Sequence, residues 1–196
     1  MARIRVLKNR SPRDLIIRKA AVLFRKKGYT ATTMRELAES IGIEAPSLYN
    51  HIGSKSDLLR EICFKISDQF NDNLTAIESA RLHSSSALES IIRFHISIMI
   101  NASDEVYVAN HEWKQLPDPA LSGYFQLRKN YENKVRAIIE SGIKKGELKN
   151  MNPVVVMLTI LSALRGIESW NRIKKNITQE ELENTIVNHL LTGIIK

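Results

Sequence analysis

The sequence predicts an all-α protein, and two observations carry this prediction. Apolar residues recur at spacings of three and four positions over long stretches, while the alternation typical of β-strands is scarce. Helix-start signals also recur along the chain. With 196 residues, of which 43% are hydrophobic, the chain can bury a real core as one large domain or as a small domain joined to a medium one.

Each helix is predicted from the residues that begin it. Ser11, with Pro12 at the first helical position and Asp14 in the first turn, begins the first helix. Capping boxes, in which Ser or Thr precedes Glu by three residues, begin at Thr33, Ser86 and Thr178, with a close variant at Ser54. We expect helices over residues 12–27, 34–40, 45–51, 55–80, 86–101, 104–114, 119–144, 153–173 and 179–195.

The positive charge is confined to the first third of the chain. Residues 1–60 contain 13 Lys and Arg against 5 Asp and Glu, whereas residues 61–196 contain 16 of each kind. A run of charge is commonly a solvated face. Segregation this complete nevertheless favours a polyanionic partner, either nucleic acid or an anionic membrane surface.

Several classes of protein are disfavoured by what the sequence contains. Cys63 is the single cysteine, which excludes an intrachain disulfide and a cysteine-based zinc site. The longest apolar run, residues 154–164, falls short of the roughly 20 residues that a membrane span needs. The N-terminus is basic and lacks the long apolar stretch of a signal peptide. We expect a cytoplasmic chain with no membrane partner, no cofactor and no metal site.

An enzyme is not expected either. His111-Glu112 lacks the second histidine at position 115 that the zinc-protease spacing requires. The sequence contains no Gly-rich phosphate loop and no nucleophile elbow. We therefore assign no catalytic residue.

Two short helices near the N-terminus have the spacing of a helix-turn-helix. Leu37, Ala38 and Ile41 face inward on the first, and Gly42 can close that helix in the left-handed conformation. The second helix begins at Ala45 and is short. A recognition helix can be short, because only its exposed end has to enter a DNA major groove.

The residues of this second helix suit contacts with DNA. Ala45, Ser47, Tyr49 and Asn50 are expected to face outward, and Ser47 and Asn50 can bond to base edges or phosphates. Tyr49 and His51 can reach phosphate oxygens. The alternative is that Tyr49 is a half-buried core residue.

Helix N-termini supply the remaining candidate DNA contacts. Lys55 lies in the first turn of the next helix, where its ammonium and free backbone N–H groups can share one phosphate. Thr33 occupies the equivalent position before residues 34–40, and Arg35 follows it in the first turn. The alternative for Lys55 is a simply solvated side chain.

This region resembles the DNA-binding half of the TetR (tetracycline repressor) family. The resemblance covers about residues 13–60 and rests on Gly28-Tyr29, Thr32-Thr33, Leu37-Ala38, Ile41-Gly42-Ile43, Ser47-Leu48-Tyr49, His51, Lys55 and Leu58. It implies that residues 1–54 form an arm and a three-helix DNA-binding domain. Residues 55–196 are then a larger helical ligand-binding and dimerisation domain, connected through the helix 55–80.

Two residues depart from the family pattern. Glu44 stands where the family usually has a neutral capping serine or threonine; its carboxylate can still cap the helix, but it repels nearby phosphates. Ile52 replaces the commoner phenylalanine, which we expect to change packing only. In the arm, Arg3, Arg5, Lys8 and Arg10 suit phosphate or minor-groove contact, and a solubilising tail is an equal alternative.

The C-terminal helices carry wide apolar stripes, one within residues 153–173 and one within 179–195. These stripes, together with the resemblance, predict a homodimer through the two C-terminal helices. A two-fold dimer predicts a near-palindromic operator on double-stranded DNA. The alternative is that both stripes close onto their own monomer.

Binding of a small hydrophobic effector is implied by the resemblance. The candidate contacts are His95, Met99, Glu112, Trp113, Tyr124, Arg128, Tyr131 and Trp170. The histidine, methionine and aromatic residues in this set are more often core residues than ligand contacts. His111-Glu112-Trp113, Arg128–Tyr131 and Trp170-Asn171 look like an acyl-coenzyme A-sensing subgroup of the family. A hydrophobic drug or dye, paired with Glu112 or Glu168, is the rival effector. An architectural DNA-binding protein without sequence preference is the rival function.

Overall fold

The computed structural model describes residues 11–169 and 177–196. They form the α-helices α1 (Pro12–Lys27), α2 (Met34–Ile41), α3 (Ala45–Tyr49), α4 (Lys55–Ser79), α5 (Ser84–Asn101), α6 (Ser103–His111), α7 (Ala120–Lys145), α8 (Pro153–Arg165) and α9 (Gln179–Thr192). Single 3₁₀ turns cover Trp113–Gln115 and Gly166–Ser169. The predicted all-α class is confirmed.

The chain divides into two compact units. Unit 1 comprises the described residues up to Ser67 together with Asp104–Gln126. Unit 2 comprises Asp68–Ser103 and the described residues from Leu127 onward. Unit 1 therefore holds α6 and the start of α7 in addition to the helix-turn-helix. The predicted boundary at residue 54 separates DNA binding from ligand binding and dimerisation, and it stays a prediction.

Local capping signals determine where several helices begin. The Ser11 hydroxyl accepts a hydrogen bond from the Asp14 N–H at 3.1 Å, and the Asp14 carboxylate accepts from the Ser11 N–H, which completes the capping box. Thr33, Ser54 and Thr178 likewise accept from the backbone N–H three residues later. These starts confirm the helix-start predictions at the four positions.

The start of α5 corrects the prediction of a capping box at Ser86. The helix begins at Ser84, two residues earlier. The Glu147 carboxylate accepts the Ser84 N–H at 2.6 Å and contacts Nδ1 of His83 at 3.2 Å. A distant carboxylate thus satisfies one of the free N-terminal donors, and this hydrogen bond lowers the pKa of Glu147.

The C-terminal helices end earlier than the apolar pattern predicts. Helix α8 ends at Arg165 and tightens into a 3₁₀ turn over Gly166–Ser169. The prediction of an α-helix is therefore wrong for residues 166–169, and its last part, residues 170–173, lies outside the described residues. Helix α9 ends at Thr192. Beyond it, the N–H groups of Ile194 and Ile195 still donate to the Leu191 carbonyl, while the Ile194 carbonyl accepts the Lys149 N–H at 2.8 Å.

Each unit has its own apolar core. In unit 1, α1 packs on α2 and buries Ile16, Ala20 and Phe24. Ile52, which stands where the family more often has phenylalanine, is buried as well. In unit 2, α5 is the central helix, with contacts to α8 and α9. Over residues 11–169 and 177–196, no helix has the length and apolar character to cross a membrane.

Candidate nucleic-acid interface and effector site

The turn between α2 and α3 depends on Gly42. This residue has φ 79° and ψ 31°, the left-handed conformation that a side chain disfavours. Its N–H and that of Ile43 both reach the Ala38 carbonyl, the latter at 3.1 Å. Ala38 is fully buried and small, which lets α3 approach α2, and the buried Leu48 attaches α3 to the core.

Helix α3 presents polar groups on its outer face. Its last residue, Tyr49, is 52% exposed, which does not fit the half-buried core alternative. Ser47 and Ala45 are partly exposed, and Asn50 is exposed at the C-terminal cap. The helix is shorter than the predicted range 45–51, so Asn50 and His51 lie just after it.

Glu44 does not cap α3. It stands at the N-cap position with no side-chain hydrogen bond to the helix, and its side chain is exposed. This corrects the expectation that the carboxylate can still cap. An exposed negative charge therefore remains at the start of α3.

Thr33 and Arg35 are partnered within α2. The Thr33 hydroxyl accepts from the Glu36 N–H and donates to the Glu36 carboxylate at 3.1 Å. Hydrogen bonds from Lys27 and Thr33 lower the pKa of Glu36 to about 2. Arg35 pairs with Glu39 at 3.1 Å, and its side chain is 84% exposed. Both side chains lie at the surface, but only that of Arg35 is long.

The ammonium of Lys55 is bonded within the protein. It donates to the carbonyl oxygens of Tyr29, Thr30 and Thr32 at 3.0, 3.2 and 2.9 Å. The nitrogen also lies 4.5 Å from the centre of the Tyr29 ring. An ammonium has three protons, so these three carbonyls can accept all of its hydrogen bonds. Lys55 thus ties the loop after α1 to the start of α4.

Arg13 fixes the segment after α3. Its Nη1 donates to the His51 carbonyl at 3.1 Å, and its Nη2 lies 2.7 Å from the Glu61 carboxylate. His51 is consequently held in place by its backbone while its side chain stays partly exposed. The arm residues Arg3, Arg5, Lys8 and Arg10 lie outside the described residues.

A second set of contacts in unit 1 joins α1 to α6. Arg25 Nη1 lies 2.9 Å from the Asp104 carboxylate, and its guanidinium carbon lies 5.2 Å from the centre of the Tyr107 ring. The sequence did not predict this cluster, since the two partners of Arg25 are about 80 residues away in the chain and no local pattern connects them.

Four predicted effector contacts lie in unit 2. Nε2 of His95 lies 2.8 Å from the Tyr131 hydroxyl, and the imidazole stacks on Phe70 with ring centres 4.3 Å apart. Burial lowers the pKa of His95 to about 3, with a smaller contribution from the charge of Arg165. Burial also raises the pKa of Tyr131. Met99 is buried, and Arg128 is partly exposed.

The remaining described effector candidates lie in unit 1. Tyr124 is 2% exposed, and its hydroxyl donates to the Ala109 carbonyl at 3.0 Å. Trp113 is partly exposed, with its ring centre 5.9 Å from that of Tyr124. Glu112 is partly exposed beside Gly28. Trp170 lies outside the described residues.

Together these features define a class of protein. A helix-turn-helix with a short exposed second helix, followed by a larger helical part, is the architecture of a DNA-binding transcriptional regulator. Two family models match the chain: bacterial regulatory proteins of the tetR family over residues 16–62, and the tetracyclin repressor-like C-terminal domain over residues 83–194. The chain belongs to the TetR family.

Similar proteins cover nearly the whole chain. The repressor KstR2 of Rhodococcus jostii is 24% identical over 177 residues, which is 89% of this chain and 87% of that one. The structure of the ketosteroid regulator KstR2 of Mycobacterium tuberculosis has a TM-score of 0.88 at 22% identity and covers 99% of this chain and 100% of its own. AibR, solved with isovaleryl coenzyme A and operator DNA, has a TM-score of 0.80 at 23% identity and covers 92% and 98%. At these identities the solved structures show a shared fold.

Proposed function

We propose that this protein is a repressor that binds a near-palindromic operator as a dimer and is released by a small hydrophobic effector, with acyl-coenzyme A thioesters as the first candidate class. The observation that carries the DNA-binding part is the exposed face of α3, which a buried Leu48 and the Gly42 turn hold rigidly on α2. The repressor relatives named above support the regulatory part.

The proposed DNA contacts divide into base readout and positioning. Ser47 and Asn50 have exposed or partly exposed polar side chains that suit base edges in the major groove. Tyr49 and His51 flank them and suit phosphate oxygens, which orient the protein without reading sequence. Arg35 can exchange its surface partner Glu39 for a phosphate, since an exposed ion pair contributes little.

Thr33 and Lys55 receive narrower roles. The Thr33 hydroxyl caps α2, so its contribution to DNA binding is to hold the start of that helix. The ammonium of Lys55 is engaged by three carbonyls, so we retain only the backbone N–H groups at the start of α4 as candidate phosphate ligands. Ala45 is small and lets the helix approach the groove.

The proposed dimer uses α8 as its apolar contact. Val154, Val155 and Leu158 are 41%, 56% and 49% exposed and follow one helical face, with Met151 (42%) just before it. A contiguous apolar face of this kind indicates a protein interface.

Helix α9 differs from α8. Its apolar residues Val187, Leu190 and Leu191 are buried in their own unit, where α9 packs on α5, and Leu182 and Ile186 are partly exposed. Its exposed side chains are polar, as at Asn184, Asn188 and His189. We therefore propose that α8 supplies the core of the dimer interface and α9 its polar rim, which modifies the prediction of two apolar stripes.

An acyl-coenzyme A effector is supported by resemblance and by composition. AibR was solved with isovaleryl coenzyme A. In this chain, unit 2 has an apolar central helix, and its buried pair His95 and Tyr131 offers polar atoms among aromatic rings. A hydrophobic cation is the rival, because Glu112 and Glu168 are partly buried carboxylates.

Contacts within unit 1 suggest how a signal reaches the DNA-binding helices. Because Arg25 binds both Asp104 and Tyr107, a displacement of α6 is transmitted to α1. A coupling of about 1–3 kcal/mol changes operator affinity by roughly 5- to 150-fold.

The test begins with selection of bound duplexes from a random pool, followed by footprinting on the protein's own upstream DNA. We expect a symmetric site that is bound at least about 1,000-fold more tightly than bulk DNA at physiological salt. Architectural binding is indicated instead if no symmetric site is enriched. Acyl-coenzyme A thioesters of increasing chain length are then titrated against the complex, with free coenzyme A, free fatty acids and hydrophobic cations as comparisons. Release by the cations alone favours the rival effector.

A further inference from the structure

An open groove lies on unit 1, between the 3₁₀ turn after α6 and the first turns of α7. Its volume is about 410 Å³, and its lining residues are Trp113, Lys114, Leu121, Ser122, Phe125 and Gln126. The size is that of a site for part of a metabolite, and the open side leaves room for the remainder of a longer ligand to continue into solvent.

Two aromatic rings form the wall of this groove. The rings of Trp113 and Phe125 are nearly parallel, with an interplanar angle of 24° and centres 6.4 Å apart. Phe125 is 49% exposed, which is unusual for a phenylalanine. The two rings stack on each other and Trp113 is only partly exposed. The exposed ring of Phe125 therefore presents the flat apolar surface on which a planar heterocycle stacks, as bases do on aromatic side chains in nucleic-acid-binding proteins.

Polar groups line the same groove. Lys114 is exposed, and its Nζ lies 6.0 Å from the centre of the Trp113 ring. Gln126 adds an amide with both donors and an acceptor. The Ser122 hydroxyl donates to the Asp118 carboxylate at 2.6 Å, and that carboxylate also accepts the Ser122 N–H. The groove therefore combines a stacking surface, one cation and a neutral amide.

We propose that this groove binds the adenine nucleotide end of coenzyme A, with the base on the exposed ring of Phe125 beside Trp113 and a phosphate near Lys114. This rests on the acyl-coenzyme A class proposed above. An acyl chain has no planar ring and no charge, so the features of the groove match the nucleotide portion of such a ligand. An uncharged aromatic drug can use the rings but gains nothing from Lys114.

The direct test is equilibrium dialysis of the 196-residue chain with adenosine 3′,5′-bisphosphate, the nucleotide fragment of coenzyme A. Phe125→Ala removes one exposed ring and is expected to weaken binding at least about fivefold. Lys114→Gln is expected to weaken binding about two- to fivefold, and less at high salt. Leu82→Ala and Lys144→Gln remove an exposed apolar side chain and an exposed cation outside the groove, and they serve as matched controls.

The fragments separate the sources of binding. Adenosine without phosphates should depend on Phe125 but not on Lys114, while pantetheine should depend on neither. Equal bisphosphate affinity in the wild type, Phe125→Ala and Lys114→Gln overturns the assignment of the groove. So does an equal loss in the two control variants, because it indicates a general surface effect.

The proposed effector class and the assignment of the groove are tested independently of each other. If acyl-coenzyme A thioesters do not release the operator but the bisphosphate binds through Phe125 and Lys114, the groove stands and the effector proposal falls. If the thioesters release the operator equally well from the wild type and both groove variants, the effector proposal stands and the groove assignment falls.

Discussion

The ammonium of Lys55 lies 4.5 Å from the centre of the Tyr29 ring, and it donates to the Tyr29 carbonyl oxygen at 3.0 Å. A cation in the first turn of α4 is unfavourable beside the helix dipole, and contact with carbonyl oxygens and an aromatic face offsets that cost. The side chain therefore joins two parts of the DNA-binding unit.

Replacement of this ammonium should act through the fold. We expect Lys55→Met to lower the free energy of unfolding by about 1–3 kcal/mol, because charged hydrogen bonds and a cation–π contact are lost. Operator affinity should fall without a change in its dependence on salt. Urea unfolding and binding at several salt concentrations check this, with the exposed Lys26→Met as control. A decrease of about 0.9 in the salt slope indicates a phosphate contact and contradicts the positioning role.

Base readout by α3 is expected to depend on Ser47 and Asn50. Ser47→Ala and Asn50→Ala should each cost about 1–3 kcal/mol in discrimination at one base position of each half-site. Selection from random duplexes with each variant measures this directly. Asp72→Asn, an exposed change in unit 2, should return the wild-type site. Unaltered preference in both α3 variants contradicts their assignment.

Glu44 should oppose DNA binding, because its exposed carboxylate makes no capping bond. We expect Glu44→Gln to raise the affinity for all sequences by up to about fivefold at low salt, with a smaller gain as salt screens the charge. Titrations with operator and with unrelated duplex at two salt concentrations measure both effects. Glu180→Gln on α9 is the control, and unchanged affinity at low salt is evidence against phosphate proximity.

Acid should destabilise the protein through His95. Its pKa is lowered to about 3 in the fold, whereas an unfolded histidine has a pKa near 6.5. Between these values the unfolded chain binds the extra proton, so stability is present above pH 6.5 and falls as the pH decreases. This amounts to about 2 kcal/mol between pH 7 and pH 5.

The variant His95→Gln isolates this effect. It cannot titrate, so the part of the pH dependence that belongs to position 95 should disappear, while His189→Gln, an exposed residue on α9, should retain it. Urea unfolding at fixed protein concentration is the measurement, since a dimer's stability depends on concentration. Equal pH dependence in the wild type and His95→Gln shows that the imidazole is not buried in its neutral form.

The exposed face of α8 should determine the oligomeric state. Val155→Glu places a charge at a side chain that is 56% exposed, so the monomer should keep its helical fold and lose its partner. We expect a monomer in sedimentation analysis and a loss of operator affinity of about 100-fold or more. Leu82→Glu, at a similarly exposed apolar residue, should remain dimeric. A dimer with unchanged affinity in Val155→Glu contradicts the proposed interface.

Signals within a few residues of each other predicted much of the fold. Ser11, Thr33 and Gly42 act on backbone groups three or four positions away, and these parts of the structure agree with the sequence-based expectations. The same local signal was misleading at Ser86, because Glu147 caps α5 from 63 residues away. For the site, the sequence indicated an exposed α3 and gave Trp113 as an effector candidate, but it did not indicate that the rings of Trp113 and Phe125 stack beside an open groove.

The sequence by itself determined the all-α class, the helix-turn-helix and the family resemblance, since periodicity, caps and the glycine turn are short-range properties of the chain. Only the tertiary structure decided which atoms Lys55 binds, that α8 leaves Val154, Val155 and Leu158 exposed, and that His95 is held neutral beside Tyr131. These outcomes depend on contacts between segments far apart in the chain, and the free energy of such contacts is set by packing and desolvation after the helices have come together.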